Sequence, residues 1–436
     1  MQLWTPKSLH SLQSMLPTAL LGYAVPAFPL AVGVAAVFVL AALPLGETSL
    51  FAQDSQANSG GKPLPAKSKA MEPYMQIDPA QQVVWPNLRR RAEMISLQPN
   101  NNIVKPLATT DFAGWSYFSD ILVGSYSPDW LAGYSLARRE YVWFSSSKGE
   151  LSVPPQVLGS SMILGFKDGV LQRIDPLTGR ESWTISLDSY PNRAITMVGN
   201  VLLVSTASQI LYAIDFQTGK TEWLYDAGFP ESIVLSSQSA PISHAGVIYF
   251  GVHSGELVAI DAKSGAELWR FSPAYSESRF KDVVGELAVV GNVLVMSRYD
   301  GFVGGLRLAE SASKVEVIWK HQLSSITTSL VRDGRYFVST STGEVMAFDA
   351  QSGNRFWKVQ IGESAGRMAA DETNLFIAGN TGMVAAIQMR DGQVEWYDQL
   401  DAKLSAPPLL HEDRVYFFTG LKNIYSYRLS KGLVAL

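Results

Sequence analysis

The segment AIDFQTGKTEW at residues 213–223 returns as AIDAKSGAELW at 259–269 and as AFDAQSGNRFW at 347–357. An acid, a hydroxyl and an aromatic so close together could mark a catalytic site. A site occurs once, however, whereas this pattern recurs, so the Asp, Gly and Trp are read as parts of a building unit. Trp143, Trp183, Trp223, Trp269, Trp319, Trp357 and Trp396 follow one another at 40, 40, 46, 50, 38 and 39 residues. A period near 40 is that of a four-stranded propeller blade.

Between the tryptophans the chain reads as hairpins. GVIYFGVHSGELVAID (246–261) sets alternating apolar residues on both sides of a short turn, and its counterparts include VLLVSTASQILYAID and YFVSTSTGEVMAFD. DG, SG or TG pairs at most of these turns suit backbone of positive φ. Apolar residues three and four apart, as in a helical solenoid, are missing after the N-terminal segment.

The structural repeat residues are Asp175, Gly179 and Trp183; Asp215, Gly219 and Trp223; Asp261, Gly265 and Trp269; Trp319; Asp349, Gly353 and Trp357; and Gly392 and Trp396. The Asp side chain is expected to accept backbone N–H bonds, and the Gly to supply a left-handed residue four positions before each Trp. The Trp is expected to pack against a neighbouring blade. The first unit is degenerate, with Ser135 and Arg139 at the Asp and Gly positions, and the fifth carries an insertion at 308–319. After Trp396 a last hairpin has no Trp, so its blade is expected to borrow a strand from AEMISL at 92–97. The fold expected is all-β, an eight-bladed propeller with seven blades as the alternative. Closing the ring removes free sheet edges.

The chain has 436 residues, 47% hydrophobic and 17% charged, with a formal net charge of −4 and no cysteine. Missing cysteines exclude disulfides, thiolate metal sites, cysteine nucleophiles and cysteine lipidation. Arg89-Arg90-Arg91 is the densest basic run, too small an electrostatic footprint for nucleic acid. His10, His244, His253, His321 and His411 have no close metal-ligand spacing, and neither a G-x-S-x-G elbow nor a phosphate loop occurs. No catalytic residue, cofactor or metal is expected.

From Lys7 to Glu47 no charged residue intervenes, and LAVGVAAVFVLAAL (30–43) is almost wholly apolar. Residues 1–52 are therefore read as a signal peptide or membrane anchor, with cleavage after Ala52 and retention both open. Lys7 before the segment, and Glu47 and Asp54 after it, place the bulk of the chain across the membrane. Residues 53–84, rich in Gln, Ser, Gly, Pro and Lys, read as a linker. Residues 85–436 form the propeller domain.

The AxDxxTGxxxW pattern resembles the quinoprotein-type repeat over roughly residues 105–436. One branch of that resemblance is the pyrroloquinoline-quinone-dependent alcohol and sugar dehydrogenases. Those enzymes hold quinone and Ca²⁺ in the channel, commonly under a vicinal Cys pair, and they are larger. The other branch is the BamB-like family of periplasmic outer-membrane β-barrel assembly factors, which PESIVLSSQSAPISHAGVIYFGVHSGELVAIDAKSGAELW (230–269) resembles more closely. That resemblance implies a non-catalytic scaffold, monomeric as a propeller, that binds the POTRA modules of a BamA-like barrel protein. Carried over, Ile233 and Leu235 fall at apolar contact positions, Ser236 stands where Arg is frequent, Asp282 takes one acidic position and Val284 replaces a second. The family's lipidated cysteine is missing, so membrane association would run through the N-terminal segment. Strand addition to the partner is a further mode of binding. A different envelope propeller, binding another protein or peptidoglycan, is the third reading.

Overall fold

The computed structural model describes residues 90, 92–96, 114–228, 239–273, 278–308, 315–400, 403–404, 406–419 and 423–429. The expected signal or anchor, the linker, and Ile233, Leu235 and Ser236 lie outside the described residues. Among the described residues are eight four-stranded antiparallel sheets, and eight blades, not seven, make the ring. In sequence order the first seven span Trp115–Ser146, Gln156–Ser186, Thr196–Asp226, Ile242–Phe271, Val283–Gln322, Ile326–Gln360 and Ala365–Gln399. The eighth combines strands from Leu409–Arg428 with Glu93–Ser96.

Glu93–Ser96 is the strand expected from AEMISL. It pairs antiparallel with Asn423–Arg428, Glu93 opposite Ser426 and Ser96 opposite Asn423. The closure is tied at its start, since Glu93 meets both Arg139 of blade 1 at 2.8 Å and Arg414 of blade 8 at 2.9 Å. The first strand of each blade is innermost; those of blades 5, 6 and 7 lie against one another, as do those of blades 8 and 1. Second and third strands are nearly all buried, as in Val247–Gly251 and Leu257–Asp261. Their apolar side chains fill the spaces between blades: Phe337, Trp357, Ile377 and Ala385 share one cluster across blades 6 and 7.

The repeat now has a physical account. Each Trp pairs across its own blade with the small residue of the pattern: Ala213 with Trp223, Ala259 with Trp269, Ala347 with Trp357 and Ala386 with Trp396. In blades 1 and 5 a glycine takes that place, and a Cβ on Gly133 or Gly305 would lie 2.2 or 2.1 Å from the indole nitrogen of Trp143 or Trp319. Blade 2 departs from the rule, with Arg173 opposite Trp183.

On its other side the indole crosses to the next blade. Trp143 donates to Pro176 O at 3.0 Å, Trp183 to Phe216 O at 3.0 Å, Trp223 to Ala262 O at 3.3 Å, Trp319 to Ala350 O at 3.2 Å and Trp357 to Met389 O at 2.9 Å. Each acceptor immediately follows the Asp of the pattern, or Gln388 in blade 7. The glycine of that same turn lies under the ring, so a Trp packs on the next unit's Gly and not on the Gly four residues before it. The Asp closes the turn: Asp261 Oδ1 accepts from Ser264 N at 2.8 Å and from Ser264 Oγ at 2.7 Å. These bonds, the Ser264 hydroxyl foremost, hold Asp261 below the usual carboxylate range.

Candidate partner-binding face

The two ends of the ring differ in chemistry. The Asp-Gly turns lie with the turns joining first and second strands, as Phe216 N donating to Asn200 O at 2.8 Å and Ala262 N to Gly246 O at 3.0 Å show. The inter-blade loops lie on the opposite face, against the turns joining second and third strands. There Leu187 N donates to Gly169 O at 2.8 Å, Ala227 N to Gln209 O at 3.2 Å and Tyr299 N to Asp282 O at 2.9 Å.

Of the connection between blades 4 and 5, residues 278–282 are described and lie on this second face, whereas Ile233, Leu235 and Ser236 fall outside the described residues. Asp282 is the one candidate contact among the described residues. Its side chain is 3% exposed and faces inward, with Oδ1 2.8 Å from His253 Nδ1, itself 2% exposed. Val284, at the other family position, is a core residue between blades 5 and 6.

Arg193 completes this buried group. It comes from the connection between blades 2 and 3, stacks 4.6 Å over Phe250 and donates from a terminal nitrogen to Gly251 O at 2.6 Å in blade 4. Burial pushes its guanidinium down to about 9, and the Asp282 carboxylate opposes that shift. The group therefore stays charged at neutral pH, facing a carboxylate that balances it.

Gln209 makes the fourth member. Its Oε1 accepts from His253 N at 2.9 Å, and its Nε2 donates to Gly228 O at 2.9 Å. It stands at φ +63°, in the turn position where sister hairpins carry Gly169, Gly255, Gly301 and Gly343. An L-residue there costs about 1–2 kcal/mol. Two hydrogen bonds of about 1 kcal/mol each, the one to His253 buried and the one to Gly228 half-buried, offset the strain.

Beside this cluster Arg298 is buried with Asp300, to which it is bonded through Nε at 3.0 Å and through a terminal nitrogen. Ser239 N, where the chain re-enters the described residues, donates to Val283 O at 3.2 Å. The connections on either side of blade 4 are thus bonded to each other.

Arg193 and Gln209 were not among the sequence candidates, and His253 was set aside for want of metal spacing. A signal existed for Gln209, as a glutamine in the glycine slot of a repeated turn. Arg193 had none, for its partners lie 58 and 89 residues further along the chain.

A family model described as outer membrane protein assembly factor BamB matches residues 129–359 and 341–435. The chain belongs to the BamB family. Among its curated relatives, the BamB of Yersinia pestis is 22% identical over 285 residues, covering 58% of this chain and 68% of that protein. The crystal structure of BamB from Moraxella catarrhalis superposes with a TM-score of 0.63 at 18% identity, covering 78% of this chain and 99% of that one. A quinohemoprotein alcohol dehydrogenase from Pseudomonas putida HK5 shares the fold at a TM-score of 0.60 and 12% identity, over 78% of this chain and 76% of that one. Two proteins so alike in fold, one a BamB and the other an alcohol dehydrogenase, show that the propeller alone does not decide function. The BamB family model, matched across the repeat and its loops, carries the assignment.

Proposed function

We propose that this protein is a non-catalytic scaffold of the cell envelope that assists assembly of outer-membrane β-barrel proteins. The observation that carries the reading is the BamB family match from residue 129 to residue 435. The partner proposed is a POTRA-containing, BamA-like barrel protein, met by the face that bears the inter-blade loops. Ile233 and Leu235 would supply apolar contacts there and Ser236 a polar one, with Asp282 buried beneath the same face. A rigid ring suits the task, because loops held at fixed positions lose little conformational freedom on binding. Export through residues 1–52, to the periplasmic side of the envelope, belongs to the same proposal.

Capture from envelope extracts tests it. The full chain should bring down a POTRA-containing barrel protein, and Leu235→Asp should abolish capture while leaving the thermal melt unchanged. Recovery of unrelated proteins alone would refute the reading. Turnover of alcohols or aldoses after addition of pyrroloquinoline quinone and Ca²⁺ would replace it with the dehydrogenase.

A further inference from the structure

Asp282 sits in a segment that family likeness assigns to partner contact, yet its carboxylate is turned inward. The groups around it come from four places in the chain. His253 belongs to the central turn of blade 4, Gln209 to the corresponding turn of blade 3, Arg193 to the connection between blades 2 and 3, and Asp282 to the connection between blades 4 and 5. A buried carboxylate in such a setting is held by its partners and is withdrawn from solvent, so it reaches no second protein without first giving up His253. Its backbone carries the load outward: Asp282 O accepts from Tyr299 N, and the following Val283 O accepts from Ser239 N. Fixing the Asp282 side chain therefore fixes both chain ends that border blade 4 on this face.

We infer that Arg193, His253 and Asp282, with Gln209, form an inter-blade clasp that sets the partner-binding face from beneath, which makes Asp282 a positioning residue and not a contact. This inference rests on the function proposed above. It adds to it that recognition at this face depends on buried residues of three consecutive blades. The strained Gln209 supports the clasp independently, since a glycine would relieve the turn but could not reach His253 N. Gly255, in the same turn as His253, admits no side chain, because a Cβ there would lie 2.6 Å from Lys281 O. The turn and the Asp282 connection are thus packed as closely as backbone allows.

The test has two arms on the full chain. Amide hydrogen exchange on the protein alone should show residues 239, 251–255 and 278–284 exchanging about tenfold faster or more in Asp282→Ala and in His253→Ala, with residues 326–399 unchanged. The double variant should exchange no faster than the worse single one. His253→Asn, which returns an N–H near the position of Nδ1, should restore protection. In the second arm, affinity for the purified POTRA-containing barrel protein should fall about tenfold in either alanine variant and no further in the double, with recovery in His253→Asn.

Affinity lost in Asp282→Ala alone, with exchange unaltered, would make Asp282 a direct contact and overturn the inference. Accelerated exchange with undiminished affinity would overturn it equally. If the unsubstituted protein fails to bind the barrel protein, the proposed function falls, while the exchange arm still decides whether the clasp exists.

Discussion

Substituting Gly392 by alanine should destabilise the propeller for two separable reasons, and a double-mutant cycle with Trp357 separates them. Gly392 stands at φ +79°, where an L-residue costs about 1–2 kcal/mol. A Cβ would also lie 2.7 Å from Trp357 Cδ2 and 2.8 Å from Cε3, and overpacking of this kind adds about 1–3 kcal/mol. Gly392→Ala is therefore expected to cost about 2–5 kcal/mol. Trp357→Ala removes a ring 4% exposed and a hydrogen bond to Met389 O, which costs about 3–5 kcal/mol. Met389 O keeps a second donor in Arg335 at 2.6 Å, so no carbonyl is orphaned and the lower part of that range is favoured. In the Trp357→Ala background the clash is gone and only the dihedral cost of Gly392→Ala remains. The two substitutions should thus fall short of additivity by about 1–3 kcal/mol. Urea unfolding followed by near-ultraviolet circular dichroism measures this from midpoint shifts at constant slope. Additivity within about 0.5 kcal/mol would refute the reasoning, because the glycine would then be required by its dihedral alone.

Two further expectations follow from buried or closing groups. Replacing Glu93–Ser96 by a Gly-Ser stretch of equal length leaves the 423–428 strand as an open edge; thermal melts should fall by about 5 °C and light scattering should show self-association. Unchanged melting would mean that the closing strand contributes nothing. Glu286 accepts from Val331 N at 2.8 Å, and burial raises its carboxyl above the ordinary range, with that N–H acting in the opposite sense. A raised folded value stabilises below the unfolded value near ~4.3, and that contribution is lost as pH rises through the folded value. Glu286→Gln should therefore gain on the unsubstituted protein as pH is taken from 4 to 7 in urea melts, and a pH-independent difference would contradict the assignment.

What could be read in advance was whatever recurs. Ala213, Asp215, Gly219 and Trp223 lie within eleven residues, and each answers to local geometry or to the adjoining blade, so the same solution returns with the same letters. The closing strand was legible for a related reason, since a hairpin without a fourth strand demands one from elsewhere. The buried clasp was not legible. Arg193, His253 and Asp282 come together only after three blades have stacked, and nothing in PNR at 191–193 or KD at 281–282 distinguishes those residues from surface charge. Asp282 accordingly read as a contact, whereas its placement shows a carboxyl group turned onto His253, with both side chains 2–3% exposed.

The two departures from the repeat in the first and last units have one cause. A glycine is required in an Asp-Gly turn because the tryptophan of the preceding blade lies on it, as Trp143 lies on Gly179. Blade 8 ends in Glu93–Ser96, a strand without tryptophan, so the turn of blade 1 that follows it has no indole above its left-handed residue. Arg139 takes that position at φ +58° and keeps the turn bond, donating from its backbone N to Ser135 O at 2.9 Å, just as Gly219 N does to Asp215 O. The missing Trp and the missing Gly are thus the two sides of a single junction, the one where the ring closes. Arg139 then uses its freedom to reach Glu93 of the closing strand. Its ion pair is exposed and contributes at most about 1 kcal/mol, less than or equal to the strain of its backbone. Gln209, with one buried and one half-buried bond, offsets a similar strain more completely. Strain at the seam therefore fits a place where the repeat is relaxed by lack of a neighbour, whereas strain at Gln209 persists where a glycine would have served the turn and only the side-chain bonds, one of them crossing to blade 4, justify the exchange.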